Sequence, residues 1–172
     1  GERPTEERYE EYLIEKFVKE TDRILDLGCS CGFLSVYTSF KKGSVVDGID
    51  INPYSIKIGQ ACARFLKISN KVNLLTKKIQ DFQASCEYDA VFSFATHWTD
   101  DANYRVPLEK HLKTLVCFIR RGGYIFFESH CADLNRADFL EEIKKFSENM
   151  VSIEFQTLTD CNRRHFYIFK KR

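Results

Sequence analysis

The 172 residues of this chain are enough for one sizeable hydrophobic core and short for two, so we expect a single domain over residues 1–172. Its apolar content of 44% and its charged content of 30% are typical of globular proteins. Because 26 Lys and Arg residues are balanced by 25 Asp and Glu residues, the net charge is only +1, and no global electrostatic field would select a nucleic acid or an anionic membrane.

Helix and strand patterns alternate along the chain without an evident linker or repeat. Tyr9, Leu13 and Phe17 recur at helical spacing, and residues 1–20 are predicted to form a helical segment that covers the ligand-binding cleft. The remaining predicted elements are strands at 23–25, 45–50, 72–75, 88–93, 124–128, 151–158 and 165–170, and helices from 33, at 53–67, at 106–119 and at 138–149.

The last part of the chain completes the predicted architecture. Leu140, Ile143 and Phe146 form the expected apolar stripe of the helix that ends near residue 149. Residues 159–162 are typical turn residues and join the two closing strands into a hairpin. The order of elements predicts an α/β fold: a doubly wound, seven-stranded, mostly parallel sheet with a C-terminal antiparallel strand pair and helices on both faces.

The seven cysteines give no sign of a metal site or a disulfide framework. They are scattered, odd in number and without paired C-x-x-C spacing, so we predict reduced thiols and no metal centre. Free cysteine behaves as a small hydrophobe, which suits a cytosolic interior. No stretch approaches the roughly 18 apolar residues of a membrane span, and no signal-peptide pattern opens the chain, so we expect a cytoplasmic location and no membrane span.

A glycine-rich turn joins the first predicted strand to the helix that begins at Phe33. A strand that ends in such a turn and leads into a helix is the phosphate- or nucleoside-binding corner of doubly wound α/β domains. Gly28 and Gly32 allow the backbone to approach a ligand closely. Asp50 ends the second strand about 20 residues later, where a ribose hydroxyl would be held. The pair of signals predicts an adenosine-containing ligand.

Asp26 decides between the possible adenosine ligands. It lies two residues before Gly28, where it would repel a pyrophosphate and attract an ammonium group. The spacing Asp26-x-Gly28-x-Ser30-x-Gly32 resembles motif I of the class I S-adenosylmethionine (SAM) dependent methyltransferases. In that family the turn cradles the amino acid part of SAM, which implies SAM rather than NAD as the cofactor.

The resemblance extends from about Asp22 to the last strand and implies a Rossmann-like fold. The segment 88–93 matches the family's fourth strand, and Gly122 and Gly123 match the turn before its fifth strand, with Arg121 in place of the usual proline. Four motifs in the right order are more specific than any one of them. The cofactor-binding residues that the resemblance implies are Asp26, Gly28, Cys29, Ser30, Gly32, Asp50, Ile51, Ile79, Gln80 and Phe94.

Two positions depart from the family pattern. Ser30 stands where the commonest motif has glycine, and serine fits there if its φ is negative. In the segment 77–82 a lysine occupies the position of the acid that often binds the adenine amino group. The adenine contact would then fall to the backbone near Ile79 or to Gln80. The resemblance also implies that Asp50 binds both ribose hydroxyls and that Ile51 packs on the adenine.

The methyl acceptor would bind beyond the carboxyl ends of the strands. His97, Trp98 and His130 lie in the loops there, and Glu128 ends the fifth strand. His97 and His130 are the candidate catalytic bases, because a hydroxyl acceptor must lose its proton as the new bond forms. Trp98 and Glu128 are predicted to lie in the substrate pocket. The alternative is that His97 and Trp98 merely cap the sheet edge.

The chain is near a minimal catalytic core, and an open cleft suits a sugar, a glycan or another small molecule. We therefore predict methyl transfer to an oxygen or nitrogen of such an acceptor. Dispersed basic pairs such as Arg163 and Arg164 keep RNA or another nucleic acid open as an alternative. A second alternative is a partner subunit that binds SAM without catalysis. The oligomeric state is not predicted.

Overall fold

The computed structural model describes residues 3–98, 106–133, 135–158 and 164–172. Short 3-10 turns follow three of the strands, at Ile79–Asp81, Thr96–Trp98 and Cys131–Asp133. The strands are β1 (Arg23–Leu27), β2 (Val45–Asp50), β3 (Val72–Thr76), β4 (Tyr88–Phe94), β5 (Ile119–Glu128), β6 (Met150–Leu158) and β7 (Arg164–Lys171). The helices are α1 (Thr5–Glu11), α2 (Ile14–Phe17), α3 (Phe33–Lys42), α4 (Pro53–Phe65), α5 (Leu108–Phe118) and α6 (Ala137–Asn149).

The seven strands form one sheet in the order β3-β2-β1-β4-β5-β7-β6. The first five strands in that order pair in parallel, and β7 runs antiparallel to both of its neighbours. The predicted fold class is therefore confirmed, including the antiparallel C-terminal pair. The strand order reverses between β1 and β4, and the carboxyl ends of these two strands flank the crevice where doubly wound sheets bind ligands.

Side chains of the central strands alternate between two buried faces. Ile24, Phe92 and Phe126 belong to the core that α1, α2 and α3 cover, and α4 packs beside α3 against β3. Leu25 and Phe127 face the core that α5 and α6 cover. Each directly follows one of the residues just named, Ile24 and Phe126. Burial on both faces explains why these strands are nearly continuous apolar runs. None of the helices within the described residues is both long and apolar enough to cross a membrane.

Two local predictions differ from the structure. The N-terminal helix is broken at Leu13, whose φ of +53° separates α1 from α2. In α6, Leu140 is 45% exposed and Phe139 takes its place in the core. Phe139, Ile143 and Phe146 follow the i, i+4, i+7 spacing of one helix face, and Leu140 lies outside that face.

Candidate cofactor and acceptor sites

The turn after β1 is tied to β2 and holds its glycines in a conformation that suits few other residues. The amides of Gly28 and Cys29 donate to the carbonyl of Ile49 at 2.8 and 3.0 Å. Gly28 has φ +68°, and a Cβ there would lie 2.4 Å from Cγ2 of Thr96. Gly32 has φ +64° and precedes the first residue of α3. Glycine is therefore required at both positions for this close approach.

Ser30 adopts a conformation that contradicts the expectation from the sequence. Its φ is +52°, so the predicted negative φ is wrong. The Ser30 amide donates to Oδ2 of Asp50 at 2.8 Å, and this charge-assisted hydrogen bond favours the left-handed conformation despite the Cβ. Oδ1 of Asp50 accepts from the amide of Asn52 at 2.9 Å. Two amides thus fix the orientation of the Asp50 carboxylate at the end of β2.

A cavity of about 420 Å³, here called the first cavity, lies beside this turn. Its volume is in the range of small-molecule sites. The predicted cofactor-binding residues that line it are Gly28, Asp50, Ile51, Ile79, Gln80 and Phe94. The other predicted residues, Asp26, Cys29, Ser30 and Gly32, belong to the end of β1 and to the turn itself. Helix α5 contributes Lys110, His111 and Thr114 to the lining, and no motif in the sequence points to them.

Asp26 is a buried carboxylate beneath the turn. It is 3% exposed and accepts a hydrogen bond from the Ser35 hydroxyl of α3. Burial raises the pKa of Asp26 to about 6, although the Ser35 hydrogen bond and the positive charge of Arg8 act in the opposite direction. Because burial has removed much of the hydration of this carboxylate, a cationic ligand would stabilise its charged form.

His111 connects α5 to the end of β4. Its Nε2 lies 2.8 Å from Oγ of Ser93, whose hydroxyl also lies 2.8 Å from Oγ1 of Thr96. Burial lowers the pKa of His111 to about 3, so the ring is neutral. Thr96 also lies against Gly28, and both residues line the first cavity. The hydrogen-bond network therefore fixes part of the wall of that cavity. The sequence patterns do not point to His111, although it lies in the cavity wall.

His97 forms a buried pair with Asp133, whose position in sequence gave no hint of the contact. Nε2 of His97 lies 3.0 Å from Oδ2 of Asp133, and the two side chains are 3% and 1% exposed. The same Oδ2 accepts from the amide of His130 at 2.9 Å. Nδ1 of His97 is buried and has no hydrogen-bond partner among the residues that the structure describes. The aromatic ring of Phe127 packs 5.4 Å from the imidazole.

A second cavity, of about 490 Å³, is bounded by this pair and by the N-terminal turns of α5 and α6. Val106 lines both cavities, so they adjoin at the carboxyl end of β4. The described residues that line the second cavity are His97, Val106, Pro107, Leu108, Glu109, Asp133, Arg136, Asp138, Phe139 and Glu142. It combines an apolar wall with several carboxylates and one guanidinium group.

The structure places His130 apart from the second cavity's lining. Its ring is partly buried, and its Nδ1 lies 3.5 Å from Sγ of Cys131. Burial, followed by the charge of Arg164, lowers the pKa of His130. The backbone amide of His130, rather than its ring, supports the Asp133 carboxylate. The backbone of His130 therefore helps to orient Asp133 and, through Asp133, the ring of His97.

The two residues predicted for the substrate pocket have different outcomes. Trp98 ends the 3-10 turn after β4, but its side chain lies outside the described part of the structure, as do residues 99–105. Glu128 is described and is 1% exposed. Its carboxylate accepts from Arg3, from the Tyr12 hydroxyl at 2.8 Å and from Arg164 at 3.1 Å. These partners place it beneath α1, in an ionic cluster on the α1 face of the sheet.

The sheet order, the reversed β7 and the glycine turn opposite Asp50 define the class I SAM-dependent methyltransferase fold. Residues 18–167 match the family described as a methyltransferase domain, and the chain belongs to that family. The chain is therefore a domain of this methyltransferase family, whose cofactor is S-adenosylmethionine.

Individual relatives are more distant. The chain is 32% identical over 117 residues to pavine N-methyltransferase of Thalictrum flavum, a match that covers 66% of this chain and 31% of that protein. It is 27% identical over 110 residues to a ribosomal protein L11 methyltransferase of Acetivibrio thermocellus, covering 64% of this chain and 34% of the relative. The chain thus spans about a third of the length of these curated relatives.

A solved structure shows the same fold. The geranyl diphosphate C-methyltransferase of Streptomyces coelicolor, solved in complex with Mg²⁺, geranyl diphosphate and S-adenosylhomocysteine, superimposes with a TM-score of 0.74 at 14% identity. The match covers 97% of this chain and 79% of that one. At this level of identity the likeness establishes the fold alone.

The residues of this chain fit the cofactor in three respects. The Gly28 position forms a cradle that a Cβ would fill. The Asp50 carboxylate, oriented by two amides, can accept hydrogen bonds from two ribose hydroxyls. The desolvated Asp26 carboxylate can pair with an ammonium group. Within the described part of the chain, no group of three metal-ligating side chains comes together.

We expect the affinity for S-adenosylhomocysteine to fall as the pH is lowered through about 6. The pKa of Asp26 is about 6 in the free protein, and a neighbouring ammonium group would lower that pKa in the complex. The complex then binds fewer protons than the free protein, so affinity is greatest above pH 6 and weakens by up to about tenfold per pH unit below it. Titration calorimetry from about pH 5 to about pH 8 measures this slope. Asp26→Asn should remove the slope, and an unchanged slope in that variant would assign the proton to another group.

Proposed function

We propose that this domain transfers the SAM methyl group to a hydroxyl oxygen of a small organic acceptor, with His97 as the general base. The observation that carries the proposal is the buried pair of His97 and Asp133 in the wall of a cavity that adjoins the cofactor cavity. This combination supports a role for His97 as a base beside space for an acceptor at the carboxyl edge of the sheet.

The hydrogen-bond pattern favours Nδ1 as the basic atom. Asp133 accepts a backbone amide hydrogen and has Arg136 3.6 Å from its other oxygen, so it is a carboxylate. A carboxylate accepts hydrogen bonds and does not donate them, so the neutral His97 ring carries its hydrogen on Nε2. The lone pair is then on Nδ1, which has no partner in the described residues and is free to accept a proton.

Catalysis then requires alignment and one proton transfer. The turn after β1, Asp26 and Asp50 would hold SAM, which would supply an electrophilic methyl carbon and a sulfur that takes up the electron pair of the broken carbon–sulfur bond. The cavity walls hold the acceptor oxygen in line with that carbon and exclude water. The hydroxyl proton passes to Nδ1 of His97 as the oxygen–carbon bond forms. Asp133 stabilises the imidazolium that results, because its carboxylate lies 3.0 Å from Nε2.

The charge of the second cavity favours a neutral or cationic acceptor over a polyanion. Among the described residues, four carboxylate residues line it, Glu109, Asp133, Asp138 and Glu142, against one cation, Arg136. This lining would repel the phosphates of a nucleic acid. Apolar side chains such as Leu108 and Phe139 complete the wall and suit the carbon skeleton of the acceptor. A sugar or another polyhydroxylated compound, with or without an amino group, fits this combination.

Three of the basic residues that belong to the dispersed pairs and the C-terminal tail are engaged in contacts within the domain. Arg164 donates to buried Glu128, Arg120 donates to Asp89, and Lys171 donates to the carbonyls of Val116 and Ile119. Arg163 lies outside the described residues. An amine acceptor has separate support, since one relative is named an N-methyltransferase. An amine that is already deprotonated would need no base.

Mass spectrometry of products formed with methyl-labelled SAM tests the proposal. The acceptor panel consists of neutral sugars, amino sugars, phenols, simple amines, nucleosides and an RNA oligonucleotide. We expect labelled methyl groups on oxygen in at least one small hydroxyl compound and none on RNA. Labelling confined to RNA would establish the nucleic-acid alternative. Binding of S-adenosylhomocysteine without product from any acceptor would favour the partner subunit that binds SAM without catalysis.

A further inference from the structure

An arginine of α1 packs on an aromatic residue that lines the first cavity. The guanidinium carbon of Arg8 is 5.5 Å from the ring centroid of Tyr12 and 5.9 Å from that of Phe94. The two rings are stacked, with centroids 4.3 Å apart and planes at 8°. Because Phe94 also lines the first cavity, the aromatic pair holds the Arg8 cation next to that cavity.

Arg8 has no ionic partner of its own within the part of the chain that the structure describes. Among the described residues its side chain makes no hydrogen bond or ion pair, and its Nε is buried without an acceptor. Arg3, only five residues earlier, is bound by the carboxylates of Glu11 and Glu128. A buried donor without an acceptor is unfavourable and uncommon in folded proteins. This arrangement is what a binding site for an anion requires.

The charge of Arg8 also acts on Asp26. The positive charge of Arg8 counteracts the effect of burial on the pKa of Asp26, so the two groups are close enough to interact. They form no hydrogen bond with each other; the Asp26 carboxylate is bonded to Ser35 instead. A ligand that carries an ammonium group and a carboxylate on one carbon atom can satisfy both.

We propose that Arg8 binds the α-carboxylate of the cofactor's amino acid part, while Asp26 faces its ammonium group. Helix α1 then forms part of the cofactor site as well as covering it. The proposal rests on SAM as the cofactor and is independent of which acceptor is methylated. An acceptor that carries a carboxylate could also supply the anion that Arg8 binds. The experiment below distinguishes the acceptor carboxylate from the cofactor carboxylate.

The test compares two ligands that differ only in the carboxylate. Titration calorimetry measures the binding of S-adenosylhomocysteine and of its decarboxylated analogue, the aminopropyl thioether of adenosine, to the wild type and to Arg8→Met. Methionine keeps an unbranched apolar stem against Tyr12 and Phe94. We expect Arg8→Met to weaken S-adenosylhomocysteine about 10- to 100-fold and to leave the analogue unchanged, the scale for a hydrogen bond to a charged group. Arg64→Met, at an exposed position on α4, is the matched control and should change neither affinity.

Each other outcome would overturn the proposal. Equal weakening of both ligands would mean that Arg8 supports the site by packing alone. Unchanged affinity for both would place the cofactor carboxylate elsewhere, and a raised KM for an acidic acceptor would then identify the acceptor as the source of the anion. If the wild type bound neither ligand, the cofactor assignment itself would fail. Arg8→Lys, which retains the charge, should bind S-adenosylhomocysteine more tightly than Arg8→Met does, and its affinity for the analogue should equal that of the wild type.

Discussion

Replacing His97 with alanine should lower turnover by about 10²–10⁴-fold, the usual contribution of a general base. Affinity for S-adenosylhomocysteine should remain close to that of the wild type, because His97 lines the second cavity and not the first. Steady-state kinetics and calorimetry on the same preparations measure both quantities.

Asp133→Ala provides a second way to impair the base. Without the carboxylate, the hydrogen on Nε2 of His97 loses its acceptor and the imidazolium that would form loses its counter-charge. Turnover should then fall, while affinity for S-adenosylhomocysteine should stay close to that of the wild type, because Asp133 lines the second cavity and not the first. His130→Ala is the comparison, since its ring does not line the second cavity and its backbone amide is kept. Loss of turnover in His130→Ala with full activity in His97→Ala would reverse the two roles. Full activity in both would indicate an amine acceptor and catalysis by alignment.

The cofactor half of the site was predictable because it is local in sequence. The turn from Asp26 to Gly32 and the acid at Asp50 each follow a strand directly, and parallel strands bring their carboxyl ends to one edge of the sheet. Their chemistry therefore follows from a few neighbouring residues. The conformation of Ser30 was not predictable in the same way, since its positive φ depends on a hydrogen bond from its amide to Asp50 on the next strand.

The acceptor half depends on contacts between distant parts of the chain. His97 meets Asp133 across 36 residues, and nothing in the pattern of the sequence distinguishes Asp133 from the other acids near the carboxyl edge. His111 reaches the first cavity only because α5 packs against the end of β4. Such pairings follow from the packing of helices on the sheet, which periodicity predicts in general but not residue by residue.

Glu128 shows why the end of a strand is not enough to assign a side chain to a pocket. Successive residues of a strand point to opposite faces, so Glu128 shares the face of Phe126, which α1 and α2 cover. His97 and Phe127 meet on the other face. A position at the carboxyl edge therefore predicted proximity to the site, while the alternation along β5 determines which helices surround the carboxylate.

Glu128→Ala should consequently lower the free energy of unfolding by about 3 kcal/mol or more, the scale for removing one partner from a buried ion pair. The change leaves Arg3, Arg164 and the Tyr12 hydroxyl without their common acceptor, and the two arginine side chains are only 18% and 21% exposed. Urea denaturation at neutral pH measures the loss.

The matched control is Glu154→Ala, which breaks the more exposed ion pair with Lys16 and should cost about 1 kcal/mol or less. If Glu128 instead contributes to acceptor binding, as its position in the sequence suggested, Glu128→Ala would keep the wild-type stability and raise the KM for the acceptor. The ionic cluster beneath α1 leads us to expect the opposite: a large loss of stability, with the acceptor KM unchanged wherever the variant remains folded.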